Sequence, residues 1–273
     1  RAGGGGTVPR GAPGDRAYRT LLLHGLADSS GVWTHVVGRF PPEHRVVAPD
    51  LPWSGAAIGG YAASYTRPTD AIATALAGPD GTADVVVAHS FSANLLLALL
   101  DAELRAGGRP LRRYGIRRMV LVSPFYRRRP EDFGWAAMAY FMNDFHRIME
   151  EGLRAAALGR IPDDVLLDMA YRVRERVGPY GWTSFFDTYL RTPWLAVGEL
   201  DVPCLVISGG DDIAADPSEA AALAADLPHA HLELVPGCGH FPMVSAPETF
   251  AGAVSGFLGD LHPVVRPELE THT

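Results

Sequence analysis

The sequence predicts an α/β fold, a doubly wound and mostly parallel sheet with an inserted helical lid. Two observations indicate the sheet: short apolar runs of strand length show no polar alternation, and helical patterns separate them. A third indicates the insertion, because helical patterns follow one another from residue 124 to 199 with no strand between them. With 273 residues and 47% hydrophobic content, the chain can bury one large core.

Six apolar runs are predicted to form the strands of this sheet. Most have consecutive apolar side chains, which is typical of parallel strands covered by helices on both faces. The runs are residues 18–23, 45–48, 84–88, 119–123, 204–208 and 231–235.

Helical patterns lie in the intervals between the runs. Two of them start with a proline, which is well suited to the first turn of a helix. The predicted helices outside the insertion are residues 69–77, 91–106, 217–225 and 247–258. Together with the strands they define a core of residues 17–123 and 200–262, preceded by a flexible leader (1–16) and followed by a tail (263–273).

The predicted lid, residues 124–199, contains three helical patterns, at 132–158, 162–177 and 183–191, each followed by a glycine or a proline. Residues 125–194 hold 14 of the chain's 25 aromatic residues and four of its six methionines. This composition indicates an adaptable apolar surface facing the sheet, although a small helical subdomain also needs aromatics for its own core. From helix position, Trp135, Trp182 and Phe186 are predicted to contact a substrate.

Composition excludes several functions. The net charge of −7 disfavours a nucleic-acid partner, and the complete absence of lysine excludes a lysine Schiff base, including anchored pyridoxal phosphate. No apolar run approaches the roughly 20 residues that span a bilayer, so we expect no membrane span and a cytoplasmic location. Cys204 and Cys238 fit no disulfide or zinc pattern and are predicted to be free thiols. No cofactor or metal site is predicted.

The run Arg127-Arg128-Arg129 has two interpretations. It is predicted to be a solvated charge run, with Glu131 and Asp132 beside it. The alternative is a site for a carboxylate or phosphate group of a substrate or carrier.

Ser90 stands at a bend between an apolar strand and a helix, a position that can present a hydroxyl nucleophile. The usual form of this turn is Gly-x-Ser-x-Gly, because the residues on either side of the serine pack closely. Here those positions hold Ala88 and Ser92, whose Cβ atoms are expected to tighten the turn. Taken alone, the segment fits a catalytic serine and an ordinary core equally well.

A catalytic serine requires a histidine base and an acid that orients it. One predicted strand ends at a Gly209-Gly210 turn, and Asp211 and Asp212 follow that turn. The next predicted strand ends in a glycine-rich loop that carries His240. Because carboxyl ends of parallel strands meet at one edge, we expect these side chains to approach Ser90. Asp211 and Asp212 are both candidates for the acid.

Four motifs resemble the lid-bearing serine hydrolases of the α/β-hydrolase superfamily, in its esterase and C–C hydrolase branch. The resemblance covers residue 17 to the last helix, without the lid. It implies a nucleophile Ser90, a base His240 and an acid Asp212, which lies three residues after Gly209 and 28 before His240. It also implies an oxyanion hole made by the backbone N–H groups of Leu26 and Phe91. The motifs are Leu23-His24-Gly25-Leu26, Ala88-His89-Ser90-Phe91-Ser92, Gly209-Gly210-Asp211-Asp212 and Gly237-Cys238-Gly239-His240.

The resulting expectation is a hydrolase that cleaves an ester, thioester or related acyl bond of a largely apolar small molecule through an acyl-enzyme. Serine at the bend argues against the epoxide hydrolases and haloalkane dehalogenases of the same superfamily, which use aspartate. Two alternatives stay open. The same residues could perform acyl transfer, cyclisation or lyase chemistry, or the chain could be a small-molecule binding protein without catalysis. The sequence gives no indication of oligomeric state.

Overall fold

The computed structural model describes residues 17–57, 67–78, 81–157 and 159–259. The predicted leader (1–16) and tail (263–273) lie outside the described residues.

Six strands form one sheet, and each neighbouring pair of strands is parallel. This arrangement confirms the predicted α/β fold, and every strand end lies within one residue of its predicted position. The strands are β1 (Tyr18–Leu23), β2 (His44–Val47), β3 (Val85–His89), β4 (Arg118–Val122), β5 (Cys204–Gly209) and β6 (Ala230–Val235). Their order across the sheet is β2-β1-β3-β4-β5-β6.

Burial along the strands follows their place in the sheet. The central strands β1, β3 and β5 are buried over their whole length, as expected for strands covered on both faces. The edge strand β6 instead exposes His231 through Leu234. The core is therefore centred on β1, β3, β4 and β5.

Eight α-helices are described, and five of them have a proline in the first turn, where no backbone N–H is needed. The two shortest, α3 and α7, were not predicted, because four or five residues are too few to show a helical period. The helices are α1 (Pro68–Ala77), α2 (Phe91–Arg105), α3 (Pro110–Tyr114), α4 (Trp135–Ala157), α5 (Asp163–Leu190), α6 (Pro217–Asp226), α7 (Pro242–Ser245) and α8 (Pro247–Leu258). Short 3-10 turns cover Ser30–Trp33, Val37–Arg39, Pro130–Asp132, Thr192–Trp194 and Val197–Glu199.

The helical insertion consists of α4 and α5, which follow one another between β4 and β5. Helix α5 is broken at Gly178, where φ is 58° and ψ is −176°, and Pro179 starts its second half. The predicted stop at Gly178 thus matches the break, but the next helical stretch begins before the predicted residue 183. None of the described helices has the length and apolar character that a bilayer-spanning segment requires.

The insertion turns an aromatic face toward the sheet. Phe141 and Phe145 on α4 and Phe185 and Tyr189 on α5 are all buried. The Phe185 ring lies 6.4 Å from the ring of Phe91, the first residue of α2. The insertion therefore covers the carboxyl edge of the sheet beside the start of α2.

The end of β5 lies very close to the loop that follows β6. A Cβ atom on Gly209 would overlap the backbone carbonyl groups of Cys238 and Gly239, so only glycine fits. The neighbouring Gly210 has more room, because a Cβ there would find its nearest atom at 3.6 Å.

We predict that Gly209→Ala destabilises the protein by about 2 kcal/mol or more, because two backbone segments must separate. The matched control, Gly210→Ala, is expected to change the free energy of unfolding by less than about 1 kcal/mol. Urea denaturation followed by circular dichroism measures both values. Equal stabilities of the two variants would contradict the close approach.

Candidate active site

Ser90 lies at a strained turn between β3 and α2. Its φ of 55° and ψ of −122° are rare for a residue with a side chain, and such a conformation costs about 1–3 kcal/mol. The surrounding backbone fixes it: the Ser90 N–H donates to the Val122 carbonyl at 2.8 Å, and the Ser90 carbonyl accepts from Ala93 N–H at 2.9 Å. The strained backbone conformation is therefore part of the turn that presents the Ser90 hydroxyl.

The two residues that replace the usual glycines are accommodated in different ways. Ala88 and Ser92 are both fully buried. The Ser92 hydroxyl donates a hydrogen bond to the backbone carbonyl of His24 in the loop after β1. Close packing is supplied by Gly25 in the same loop, where a Cβ would lie 3.0 Å from His89 Nδ1 and 3.3 Å from Ser90 Cβ. Ser92 thus makes a polar link across the turn where glycine would make none.

Three side chains from separate strand ends form a continuous hydrogen-bonded chain. Ser90 Oγ lies 2.9 Å from His240 Nε2, and His240 Nδ1 lies 2.9 Å from Asp212 Oδ2. All three residues are buried. The carboxylate holds the proton on Nδ1, so Nε2 is left to accept the Ser90 hydroxyl proton. This arrangement can generate a serine nucleophile.

Asp212, and not the alternative Asp211, is the acid that contacts His240. Besides the imidazole, Asp212 Oδ1 accepts the N–H groups of Ala214 and Ala215 at 2.8 and 3.0 Å. Asp211 is exposed, and its N–H donates to the Cys238 carbonyl at 2.9 Å. The backbone amides fix the Asp212 carboxylate before His240 engages it.

Carboxyl groups surround the imidazole and shift its titration. Burial by itself lowers the pKa of His240, but the charge and hydrogen bond of Asp212, with further contributions from Glu151 and Asp28, raise it above the usual value. Burial also raises the pKa of the Glu151 carboxyl, and that of Asp28 to about 7. The site therefore favours the imidazolium that forms when His240 accepts a proton.

His89 holds the backbone of the loop that carries His240. Its Nε2 donates to the His240 carbonyl at 2.9 Å, and burial keeps its pKa well below the usual value. Burial also lowers the pKa of His24, whose Nε2 accepts the Leu51 N–H at 2.9 Å. The resemblance alone gave no signal for the contact between His89 and His240.

Leu26 and Phe91, whose backbone N–H groups are the predicted oxyanion donors, both lie next to Ser90. Phe91 begins α2, so its amide lies at the positive end of the helix dipole. Leu26 follows Gly25 in the loop after β1 and lines the cavity at Ser90. Among the described hydrogen bonds, neither N–H is donated to a protein acceptor. Both are available to an incoming group.

A small apolar cavity of about 20 Å³ lies against Ser90 and His240, with room for about one water molecule. Its aromatic lining comes from Phe125 after β4, Phe145 on α4, Phe185 on α5 and Phe241 after His240. The lining also includes Ile148, Met149 and Asp28, none of which was predicted from the sequence.

The three residues predicted to contact a substrate lie elsewhere. Trp135, at the first turn of α4, is 86% exposed. Trp182 packs its ring 4.6 Å from that of Phe145 and stacks on Phe186, so both support the cavity wall from behind. Phe185, one residue before Phe186, faces the cavity instead. The spacing of buried aromatics on α4 and α5 was the available signal, but it does not say which face points to the sheet.

The arginine run is neutralised by neighbouring acids. Arg127 is only partly exposed, and its guanidinium also donates to the Tyr189 hydroxyl at 2.8 Å. Acid partners of Arg127, Arg128 and Arg129 are Glu219, Asp226 and Asp132 respectively, at 3.1, 2.8 and 2.8 Å. In the described part of the chain, no three histidine, cysteine or acidic side chains gather in a metal-binding arrangement.

The known proteins to which this chain is similar include two esterases and another hydrolase. The chain is 27% identical to a pimeloyl-[acyl-carrier protein] methyl ester esterase from Nitrosomonas europaea over 84% of its own length and 91% of the relative's. Among solved structures, an esterase from a Rhodococcus species superposes with a TM-score of 0.58 at 22% identity, covering 91% of this chain and 92% of that one. A 2-hydroxy-6-oxo-6-phenylhexa-2,4-dienoate hydrolase from Rhodococcus superposes with a TM-score of 0.57 at 15% identity, covering 90% and 92%.

The similarity to solved structures establishes the fold of the chain. Its family is established by a match to a family model. The model of the alpha/beta hydrolase family matches residues 20–253, which include the strained serine turn and the loops that carry Asp212 and His240. The chain belongs to the alpha/beta hydrolase family.

Proposed function

We propose that the protein hydrolyses carboxylic esters through a Ser90-His240-Asp212 triad and an acyl-enzyme. The observation that carries this proposal is the unbroken chain of hydrogen bonds from Ser90 Oγ through the imidazole to the Asp212 carboxylate. The esterase activity in the name of the Nitrosomonas relative supports an ester as the substrate.

In the proposed reaction, Ser90 Oγ attacks the ester carbonyl carbon while His240 Nε2 accepts the hydroxyl proton. The imidazolium is stabilised by Asp212 and then returns the proton to the leaving alcohol as the ester C–O bond breaks. A water molecule, deprotonated by His240, next attacks the acyl-enzyme. Collapse of the second tetrahedral intermediate frees the carboxylic acid and returns the proton to Ser90.

The negative charge on the carbonyl oxygen requires donors that are fixed in advance. The N–H groups of Leu26 and Phe91 are proposed to fill this role, because they flank Ser90 and have no protein acceptor among the described residues. The hydrogen bond from Ser92 to the His24 carbonyl ties the two donor-bearing segments together.

The helical insertion, residues 124–199, is proposed to act as a lid over a core formed by residues 17–123 and 200–262. Its aromatic side chains cover the serine, and the cavity beneath them is too small for an ester. Displacement of α4 and α5 side chains is therefore part of substrate entry. The apolar lining favours a largely apolar small molecule.

We expect a fluorophosphonate probe to label Ser90 covalently, because the probe needs a serine activated by a base. Ser90→Ala abolishes labelling, and His240→Ala reduces it strongly. Intact-protein mass spectrometry measures the adduct, with thermal denaturation as a control for folding. A folded native protein that does not react would contradict the proposed nucleophile.

The two adjacent aspartates provide a matched pair for the proposed acid. Asp212→Asn is expected to lower kcat by about three to four orders of magnitude, because the amide no longer fixes the tautomer. Asp211→Asn changes kcat by less than about twofold, since its side chain is exposed and outside the triad. Hydrolysis of p-nitrophenyl butyrate measures both, and equal losses would exclude Asp212 as the specific partner.

The pH profile tests the acids around the imidazole. The raised pKa of His240 means that kcat/KM increases as pH rises through that pKa, since only neutral His240 accepts the serine proton. The carboxyl groups of Asp212, Glu151 and Asp28 favour the charged form of His240, whereas burial disfavours it.

Glu151→Gln removes one of the negative charges and is expected to move the acid limb of the profile to lower pH by roughly half a unit. Glu150→Gln is the control, because Glu150 pairs with Arg154 at 2.7 Å. A shift of the same size in both variants would show that the effect is not local.

A further inference from the structure

A second cavity of about 260 Å³ lies next to the one at Ser90, between the loop after β1, the helices α4 and α5, and the start of α7. The two cavities share three lining residues, Asp28, Met149 and Phe241. They are therefore adjacent spaces separated by side chains.

Two of the side chains between the cavities are Met149 and Phe241. Met149 has a flexible, unbranched side chain that repacks readily. The Phe241 ring lies against the backbone of Gly152 on α4, where a Cβ would be only 2.9 Å from the ring edge. Because the shared lining consists of the side chains of Met149, Phe241 and Asp28, the two spaces join only when these side chains move.

Size and lining distinguish the two spaces. The cavity at Ser90 holds about one water molecule, whereas small-molecule sites are typically a few hundred cubic ångströms, about 300 or more. An ester bound at Ser90 must extend beyond this cavity. The second cavity has mainly apolar walls, among them Val32, Leu153, Ala156 and Val173.

The lining shared by the two cavities also contains a carboxyl oxygen, Asp28 Oδ2, that can accept a hydrogen bond from a ligand. Asp28 Oδ1 accepts the Ser29 N–H at 2.8 Å, but the buried Oδ2 has no hydrogen-bond partner among the described residues. Buried carboxyl oxygens are normally satisfied. Asp28 Oδ2 is therefore an open acceptor for water or for a polar group of a ligand at this wall.

We propose that the second cavity is the distal subsite of the active site and takes the far end of a long, mainly apolar arm of the ester. The arm runs from the carbonyl at Ser90 past Asp28, Met149 and Phe241 into the 260 Å³ space. This inference rests on the proposed esterase function.

Ala156→Trp tests the subsite, because Ala156 lines the second cavity but not the one at Ser90. We expect kcat/KM for p-nitrophenyl octanoate to fall at least about tenfold, the factor for two methylene groups that lose their burial. The value for p-nitrophenyl acetate is expected to stay within about twofold, since a short acyl group does not reach the cavity. Ala139→Trp, on an exposed part of α4, is the matched control and is expected to change neither value.

A second variant works in the opposite direction. Leu153→Ala enlarges the cavity and is expected to shift the preferred chain to a longer one. Both variants are also assayed with octyl acetate, which places the long arm on the alcohol. Selective loss with the octanoate assigns the subsite to the acyl arm, and selective loss with octyl acetate assigns it to the alcohol arm.

If Ala156→Trp and Leu153→Ala change neither chain-length profile, the distal subsite is wrong. Failure of the esterase proposal is distinguishable, because the native protein would then neither react with fluorophosphonate at Ser90 nor hydrolyse the short ester. Labelling of Ser90 in Ala156→Trp shows that the variant is folded and that its loss is confined to long substrates.

Discussion

The hydrogen bond between His240 and Asp212 is the interaction on which the arrangement of the carboxyl edge depends. Its two partners come from different strands, and each is held independently of the other. Two backbone amides fix the Asp212 carboxylate, and His89 holds the carbonyl of His240. Gly209 lets the two loops approach, because its missing side chain leaves space for the backbone before His240. A buried imidazole thus remains oriented without solvent.

The sheet and the convergence of the three polar side chains could be predicted from the sequence. Consecutive apolar residues identify parallel strands, and a parallel sheet brings the residues after each strand to one edge. Ser90, Asp212 and His240 therefore approach one another although up to 150 residues separate them. The choice between Asp211 and Asp212 depended on the resemblance and on spacing, and the structure places only Asp212 at the imidazole.

The residues around the cavity could not be predicted in the same way. Whether Phe185 or Phe186 faces the serine depends on the rotation of the second half of α5, which follows the break at Gly178. Glu151 is half-buried, near His240, only because α4 crosses the loop after β6, a packing relation without a local sequence signature. The exposed Trp135 could not be placed from the sequence either, because the first turn of a helix can project past the core.

The link from the Ser92 hydroxyl to the His24 carbonyl has a mechanical consequence. It ties the first turn of α2 to the loop after β1 by a contact in which no residue of the insertion takes part. If α4 and α5 shift in the proposed substrate entry, this link does not have to break. A serine in place of a glycine thus braces the backbone around Ser90 independently of the helices that cover it.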